Sequence, residues 1–222
     1  FEELENPEKN LATEVISSDG VTLGKYAFKN RTPVGFSDLP ENLVNALIAT
    51  EDERFYEHSG IDFRGLARAI VKLGKGGGAS TITQQLAKNL FNKGGSSSTL
   101  KRLTQKVKEW IVATKLERQY TKNEIVAMYL NTQGFLFNAI GIRSASRIYF
   151  GKEPKNLDIQ ESAILVAMLK NPRQFNPNRE ISKGKSLVRR NVVFAQMAKN
   201  EFITQKEKDS LQQLPLKINF TP

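Results

Sequence analysis

The chain changes character near residue 35. Before it, Thr13 to Ser17 and Val21 to Phe28 are β-prone runs on either side of Ser18-Asp19-Gly20, a pattern that predicts a short β-hairpin. From Pro40 onward, apolar positions recur at helical spacing. Leu43, Val44, Leu47 and Ile48 mark a first helix, with Pro40 at its start. Four later helices announce their N-termini by a Thr or Asp followed three residues on by Gln or Glu. These pairs are Thr81 with Gln84, Thr121 with Glu124, Asp158 with Glu161, and Thr204 with Glu207. A helix over residues 100–119 is predicted to bury Leu100, Leu103, Val107, Trp110 and Ile111, and another runs from about Ser186 to Lys199. Two Gly/Ser-rich stretches, Gly74 to Gly78 and Lys93 to Ser98, read as loops. No internal repeat is visible. The fold class is mainly α, divided into an N-terminal segment over 1–35 and a helical domain over 36–222.

Composition narrows the chemistry. The 222 residues include 39% apolar ones, enough for an ordinary core. There is no Cys and one His, which excludes a disulfide scaffold, a thiol nucleophile and a multi-His metal site. The longest clean apolar run, Ala163 to Leu169, is far short of the roughly 18 residues that span a bilayer. The chain starts at Phe1 without a Met or a signal-peptide pattern, so it is expected to be a piece of a longer chain with an anchor that precedes it. The 33 Lys and Arg against 23 Asp and Glu give a net charge of +10, which points to an anionic partner. Nucleic acid, phospholipid head groups and phosphorylated small molecules all satisfy that charge.

Three local patterns carry candidate chemistry. Glu51 lies one turn beyond Leu47 and Ile48 and shares their apolar face. Desolvation there would raise its pKa and make it a better base; the structural alternative pairs it with Arg54 or Arg68. Arg102, Lys106 and Glu109 share a stripe of the 100–119 helix, either a ligand-facing set or a solvated face. Gly76 to Gln85 leads glycines into a Ser/Thr-capped helix whose amides can hold an anion, with Gln84, Gln85 and Lys88 on the following turns. No Gly-Lys-Ser/Thr follows at the spacing of a phosphate-binding loop. Finally, Ile61 to Lys75 combines an Arg64, Arg68, Lys72 row with apolar residues, as in a helix lying on anionic lipid or in a core helix with one wet side.

Taken together these segments resemble the peptidoglycan glycosyltransferase family 51 domain of bifunctional class A penicillin-binding proteins and monofunctional transglycosylases. EDERFYEHSGID (Glu51 to Asp62), GASTITQQLAKN (Gly78 to Asn89), KVKEWIVATKLE (Lys106 to Glu117), KNEIVAMYLN (Lys122 to Asn131) and QESAILVAMLKNPRQFNP (Gln160 to Pro177) resemble its five signatures, in order. Two departures stand out. Gln105-Lys106 replaces the usual Arg-Lys, and TQGFLFNAIGI follows Asn131 where an acidic or Gly-rich stretch is common.

The resemblance implies a lysozyme-like helical fold and polymerisation of lipid II into β-1,4 glycan strands with inversion. It implies Glu51 as general base and Glu109 as the second carboxylate. Phe55, Ser80, Gln84, Gln85, Lys88, Arg102, Lys106 and Lys108 are the expected substrate contacts, the cations among them meeting pyrophosphate; Phe55 and His58 also read as structural. Arg64, Arg68, Ile70, Lys72, Leu73 and Lys75 are the expected membrane contacts. The expected setting is the extracytoplasmic (periplasmic) face of a bacterial plasma membrane, with a transpeptidase domain on the full-length chain and no nucleic acid. No metal-ligand cluster is visible, although a divalent Mg2+ or Mn2+ between pyrophosphate and carboxylates is compatible with the chemistry. The alternative function is a lysozyme-like enzyme that cleaves glycan strands. Ser182 and Lys185 match Ser-x-x-Lys, but no Lys-Thr-Gly follows.

Overall fold

A computed structural model describes residues 13–16, 22–26, 33–71, 80–91 and 99–221. Strands β1 (Thr13–Ile16) and β2 (Thr22–Tyr26) pair antiparallel, with Thr13 opposite Tyr26. The Ser18-Asp19-Gly20 turn lies outside the described residues, as do both Gly/Ser-rich stretches. Among the described residues after 35 the regular elements are α-helices, apart from short 3-10 turns: α1 (Glu41–Glu51), α2 (Phe63–Val71), α3 (Ile82–Phe91), α4 (Thr99–Gln119), α5 (Lys122–Thr132), α6 (Ile142–Phe150), α7 (Ile159–Leu169), α8 (Glu180–Lys199) and α9 (Gln205–Gln213).

The longest apolar run of the sequence becomes the centre of the domain. Every residue of α7 from Glu161 to Met168 is buried, because α1, α6 and α8 surround it. A helix that is apolar on all sides has no wet face to offer and must be enclosed. Its N-terminus is fixed by a reciprocal capping box between Asp158 and Glu161, and Lys152 Nζ bonds both Glu161 oxygens at 2.7 and 2.9 Å. Thr121 with Glu124 and Thr204 with Glu207 form the same box at the starts of α5 and α9, as their spacing predicts. On α3, Thr81 Oγ1 accepts from the Gln84 amide. Helix α8 begins at Glu180, six residues before the expected start, and Pro40 occupies the N-cap of α1 rather than its first turn.

Helix α4 departs from its expected orientation. Leu103, Val107 and Ile111 are 64%, 46% and 54% exposed, so the predicted buried stripe faces outward. The buried positions are Glu109, Ala113 and Leu116. Gly60 (φ +91°) packs so close to this helix that a Cβ on it would lie 3.0 Å from the Ala113 backbone carbonyl, so the approach requires glycine at 60.

The chain leaves α9 as an extended segment that belongs to the fold. Buried Arg190 gathers it, donating to the carbonyls of Leu214 at 2.7 Å and Pro215 at 3.2 Å. Further on, the Asn219 and Thr221 amides bond Tyr149 and Ile148 of α6 at 2.9 and 2.8 Å. Phe220 stacks edge-on against Phe137 with centroids 4.9 Å apart. Phe137 belongs to the unusual stretch after Asn131, where Leu136, Phe137 and Asn138 all have positive φ (69°, 50° and 59°). That conformation costs L-residues of the order of 1 kcal/mol each, offset here by packing and by the Tyr149 hydroxyl on the Phe135 carbonyl at 2.7 Å.

Arg190→Ala is expected to destabilise the domain by roughly 3 kcal/mol, because the carbonyls it gathers lose their donor and its fully buried side chain leaves a cavity. Urea unfolding followed by circular dichroism measures it.

Candidate active site

The loop after α1 turns the chain sharply and delivers three consecutive acidic residues to different partners. Asp52 points inward. Its carboxylate accepts from the Ile82 amide at 2.9 Å, capping α3, and faces His58 Nε2 at 3.0 and 3.1 Å. His58 Nδ1 accepts from the Gly60 amide at 3.2 Å, which puts the imidazole proton on Nε2, toward Asp52. Thr81 completes the corner by donating to the Gly60 carbonyl at 2.7 Å. His58 is thus a structural residue of the turn.

Glu51 lies at the end of α1 on the wall of an open cavity of about 530 Å³. Gln85 Nε2 donates to its carboxylate at 3.1 Å, and the Tyr129 hydroxyl donates to Gln85 Oε1 at 3.0 Å. A carboxylate only accepts, so this chain fixes which way the Gln85 amide points. Burial pushes the Tyr129 phenol well above its ordinary pKa, and the Glu51 charge adds to the effect. The alternative partners, Arg54 and Arg68, both pair with Glu53 instead. An Arg189 guanidinium nitrogen is the cation beside Glu51, at 3.9 Å. Among the described residues, Arg189 Nε and Thr50 Oγ1 are buried without a hydrogen-bond partner, and both residues line the cavity.

Glu53 faces the cavity rim. Lys199 bonds it at 2.6 Å, Arg68 at 2.8 Å and Arg54 at 3.2 Å. The Lys199 hydrogen bond first, then that of Arg68, holds its carboxyl at a pKa of about 2.

Ser80, Gln85, Glu51 and Arg68 of the expected site residues line this cavity together. Glu109 is buried on α4 and reaches it indirectly. Lys106 Nζ bonds Glu109 at 2.8 Å and Ser80 Oγ at 3.1 Å, and Gln105 Nε2 donates to Glu109 at 3.3 Å. Gln105, where the usual pattern has Arg, therefore serves the same carboxylate. Gln84 is buried on the core side of α3, and Phe55 is fully buried beneath Lys122, whose Nζ lies 4.3 Å from the ring centroid. That lysine also bonds Glu117 at 2.8 Å and the His58 carbonyl at 2.6 Å, while Thr83 donates to Glu117 at 2.6 Å. Lys88, Arg102 and Lys108 are exposed on the outer sides of α3 and α4, away from the described cavity wall. The cations that do line it are Arg68, Lys170, Arg189 and Lys199. Sequence reasoning missed Tyr129 and Arg189. Tyr129 lies within the fourth quoted segment, whereas nothing local marks Arg189.

Of the expected membrane contacts, Arg64 is exposed on α2. Lys72, Leu73 and Lys75 lie outside the described residues, as does the Ile70 side chain. Among the described residues no group of three or more His, Asp or Glu could hold a metal. The cavity carboxylates of Glu51, Asp52, Glu53 and Asp62 each accept from donors of this chain.

Comparison with known proteins gives this geometry a family. A transglycosylase family model matches residues 19–198. The chain is 38% identical over 214 residues to penicillin-binding protein 1A of Escherichia coli, spanning 95% of this chain and 24% of that protein. It is 38% identical over 202 residues to penicillin-binding protein 1F of Bacillus subtilis, covering 89% of this chain and 27% of that protein. The crystal structure of penicillin-binding protein 1A from Haemophilus influenzae superposes with a TM-score of 0.51 at 21% identity, over 96% of this chain and 22% of that one; it supports the fold. The chain belongs to the transglycosylase family. It spans about a quarter of the length of the curated relatives it matches.

The Glu53 ion pairs give the domain an acid signature. A carboxyl depressed from 4.5 to about 2 contributes stability that is complete above about pH 4.5 and is lost as pH falls toward 2. Glu53→Gln should therefore lower stability by a constant amount from neutral pH down to about 4.5, and the deficit should vanish near pH 2. Denaturant unfolding of both proteins across that range tests it.

Proposed function

We propose that residues 36–222 form a lysozyme-like catalytic domain that polymerises lipid II, with residues 1–35 as a preceding segment. The observation that carries this reading is the placement of Glu51. Its carboxylate is on the wall of an open cavity, oriented by Gln85 and Tyr129, with hydrogen-bonding groups of Ser80, Thr50 and Arg189 around it.

In this reading Glu51 removes the proton of the 4-hydroxyl of the acceptor GlcNAc. The freed oxygen forms a bond to the anomeric carbon of the donor strand, and the bond from that carbon to the α-linked pyrophosphate breaks. Polyprenyl pyrophosphate leaves, and attack from the opposite face gives the β-1,4 link. The leaving group is already a stable anion, so it needs cations more than a proton. In this reading Lys106, bonded to Glu109 and Ser80, takes that role, and Lys88, Arg102 and Lys108, exposed outside the described cavity wall, would meet only a longer anionic substrate. Glu109 orients Lys106. Buried Phe55 and Gln84 support the site from the core side.

A lipid-linked substrate requires the cleft to face a bilayer. Phe63 and Val71 are exposed on α2, which also carries Arg64 and Arg68, and Leu103, Val107 and Ile111 are exposed on α4, which also carries Arg102 and Lys108; each mixture of apolar and basic side chains suits contact with anionic lipid. Among the described residues no helix is long and apolar enough to cross a membrane. We place the domain on the extracytoplasmic face of the plasma membrane, anchored by another part of a longer chain that also carries a transpeptidase domain.

Glu51→Gln is expected to keep the fold and to lower polymerisation of lipid II by roughly a thousandfold, the usual range for a lost general base. Gel separation of the glycan products, with a chelator in parallel, measures it. Shortening of preformed strands instead of polymer growth would assign a cleaving enzyme.

A further inference from the structure

Helix α2 is weakly rooted in the core. Of its described side positions only Gly65 is buried, and Phe63 and Val71 are 68% and 82% exposed. Polar ties hold it in place. The Asp62 carboxylate accepts from the Gly65 amide at 2.9 Å and pairs with Arg54. A Cβ at Gly65 would lie 2.4 Å from Asp62 Oδ2, so the helix start is drawn tightly onto this pair. One turn on, Arg68 reaches Glu53. The other oxygen of Glu53 takes Lys199, the last residue of α8, on the opposite side of the same cavity.

Exposure shows where this contact lies. Glu51 and Arg189 side chains are each 16% exposed, whereas Arg68 and Lys199 are 40% and 59% exposed. Arg68 and Lys199 are therefore at the cavity mouth, joined there through Glu53, which is 20% exposed and also takes Arg54 from its own loop.

Building on the polymerase reading, we propose that Glu53 is a positioning residue: its carboxylate straps α2 to the end of α8 across the mouth of the cleft, setting how the lipid-linked substrate enters rather than how it reacts. The strap joins the exposed apolar helix to the wall carrying Arg189. Removing the charge leaves Arg68 and Lys199 without their common anchor, so α2 swings more freely and substrate capture weakens. The chemistry at Glu51, two residues earlier on the firmly packed end of α1, is left in place.

The test compares the unaltered domain with Glu53→Gln, Lys199→Met and the double variant, reading lipid II polymerisation kinetics and backbone hydrogen exchange over 63–71. Glu53→Gln should raise KM roughly two- to fivefold, as expected for a lost, partly exposed ion pair, with kcat changed by less than about twofold. Exchange over 63–71 should quicken. Lys199→Met should shift both readouts the same way, and the double variant should be no worse than Glu53→Gln, because both changes remove one contact. Unchanged exchange over 63–71, or a fall in kcat with KM unmoved, would overturn the strap. Should Glu53→Gln fail to fold, Lys199→Met alone decides, since that side chain is largely exposed. If the unaltered domain makes no polymer, the polymerase reading fails, and the exchange measurement still judges the strap.

Discussion

Asp52 accepts the first amide of α3 and the imidazole N–H of His58 with one buried carboxylate, and the geometry of the cleft follows from that. The cap fixes the start of α3, so Ser80 and Gln85 arrive at set positions on one side of the cavity. The imidazole bond folds the chain back within six residues of the end of α1. Gly60 is then pressed against the Ala113 backbone of α4, on the helix that carries buried Glu109. Glu51, adjacent to Asp52 but on the open side, is thereby aimed into the cavity. A buried charge is tolerable only when its lone pairs are filled, and the amide and the imidazole fill them.

Much of the fold is legible in the sequence because capping chemistry is local. Asp158 with Glu161, Thr121 with Glu124, and Thr204 with Glu207 satisfy each other's backbone groups within three residues, so spacing alone finds them. The run Ala163 to Leu169 likewise contains its own answer, since only an enclosed helix carries it. The outward turn of Leu103, Val107 and Ile111 is not legible, because periodicity gives the stripes of a helix but not the stripe its neighbours prefer. Here the neighbours of α4 take in Glu109, Ala113 and Leu116 and leave the more apolar stripe outside.

The site divides in the same way. Glu51, Ser80 and Gln85 lie in recognisable segments near the start or end of a helix, where local sequence controls direction. Arg189 comes from a helix well over a hundred positions later, and its proximity to Glu51 is created by the packing of α1 against α8. The net charge of +10 predicts cations near an anionic ligand without saying which ones. The structure separates them into Lys106 beside Glu109, the cavity-lining set of Arg68, Lys170, Arg189 and Lys199, and an outer group on α3 and α4.

The clasp between Phe220 and Phe137 has a mechanical meaning. The last regular element, α9, is not the last load-bearing one. Tension applied along the chain at residue 221 meets two amide bonds to α6, the edge-on pairs of Phe220 with Phe137 and Tyr149, and the Arg190 bonds to Pro215 and Leu214 before it reaches α9. Those contacts also hold three residues in a left-handed backbone. Force that parts the rings would let that loop relax, so a pull at this end is felt first at α6, beside the enclosed helix at the centre of the domain.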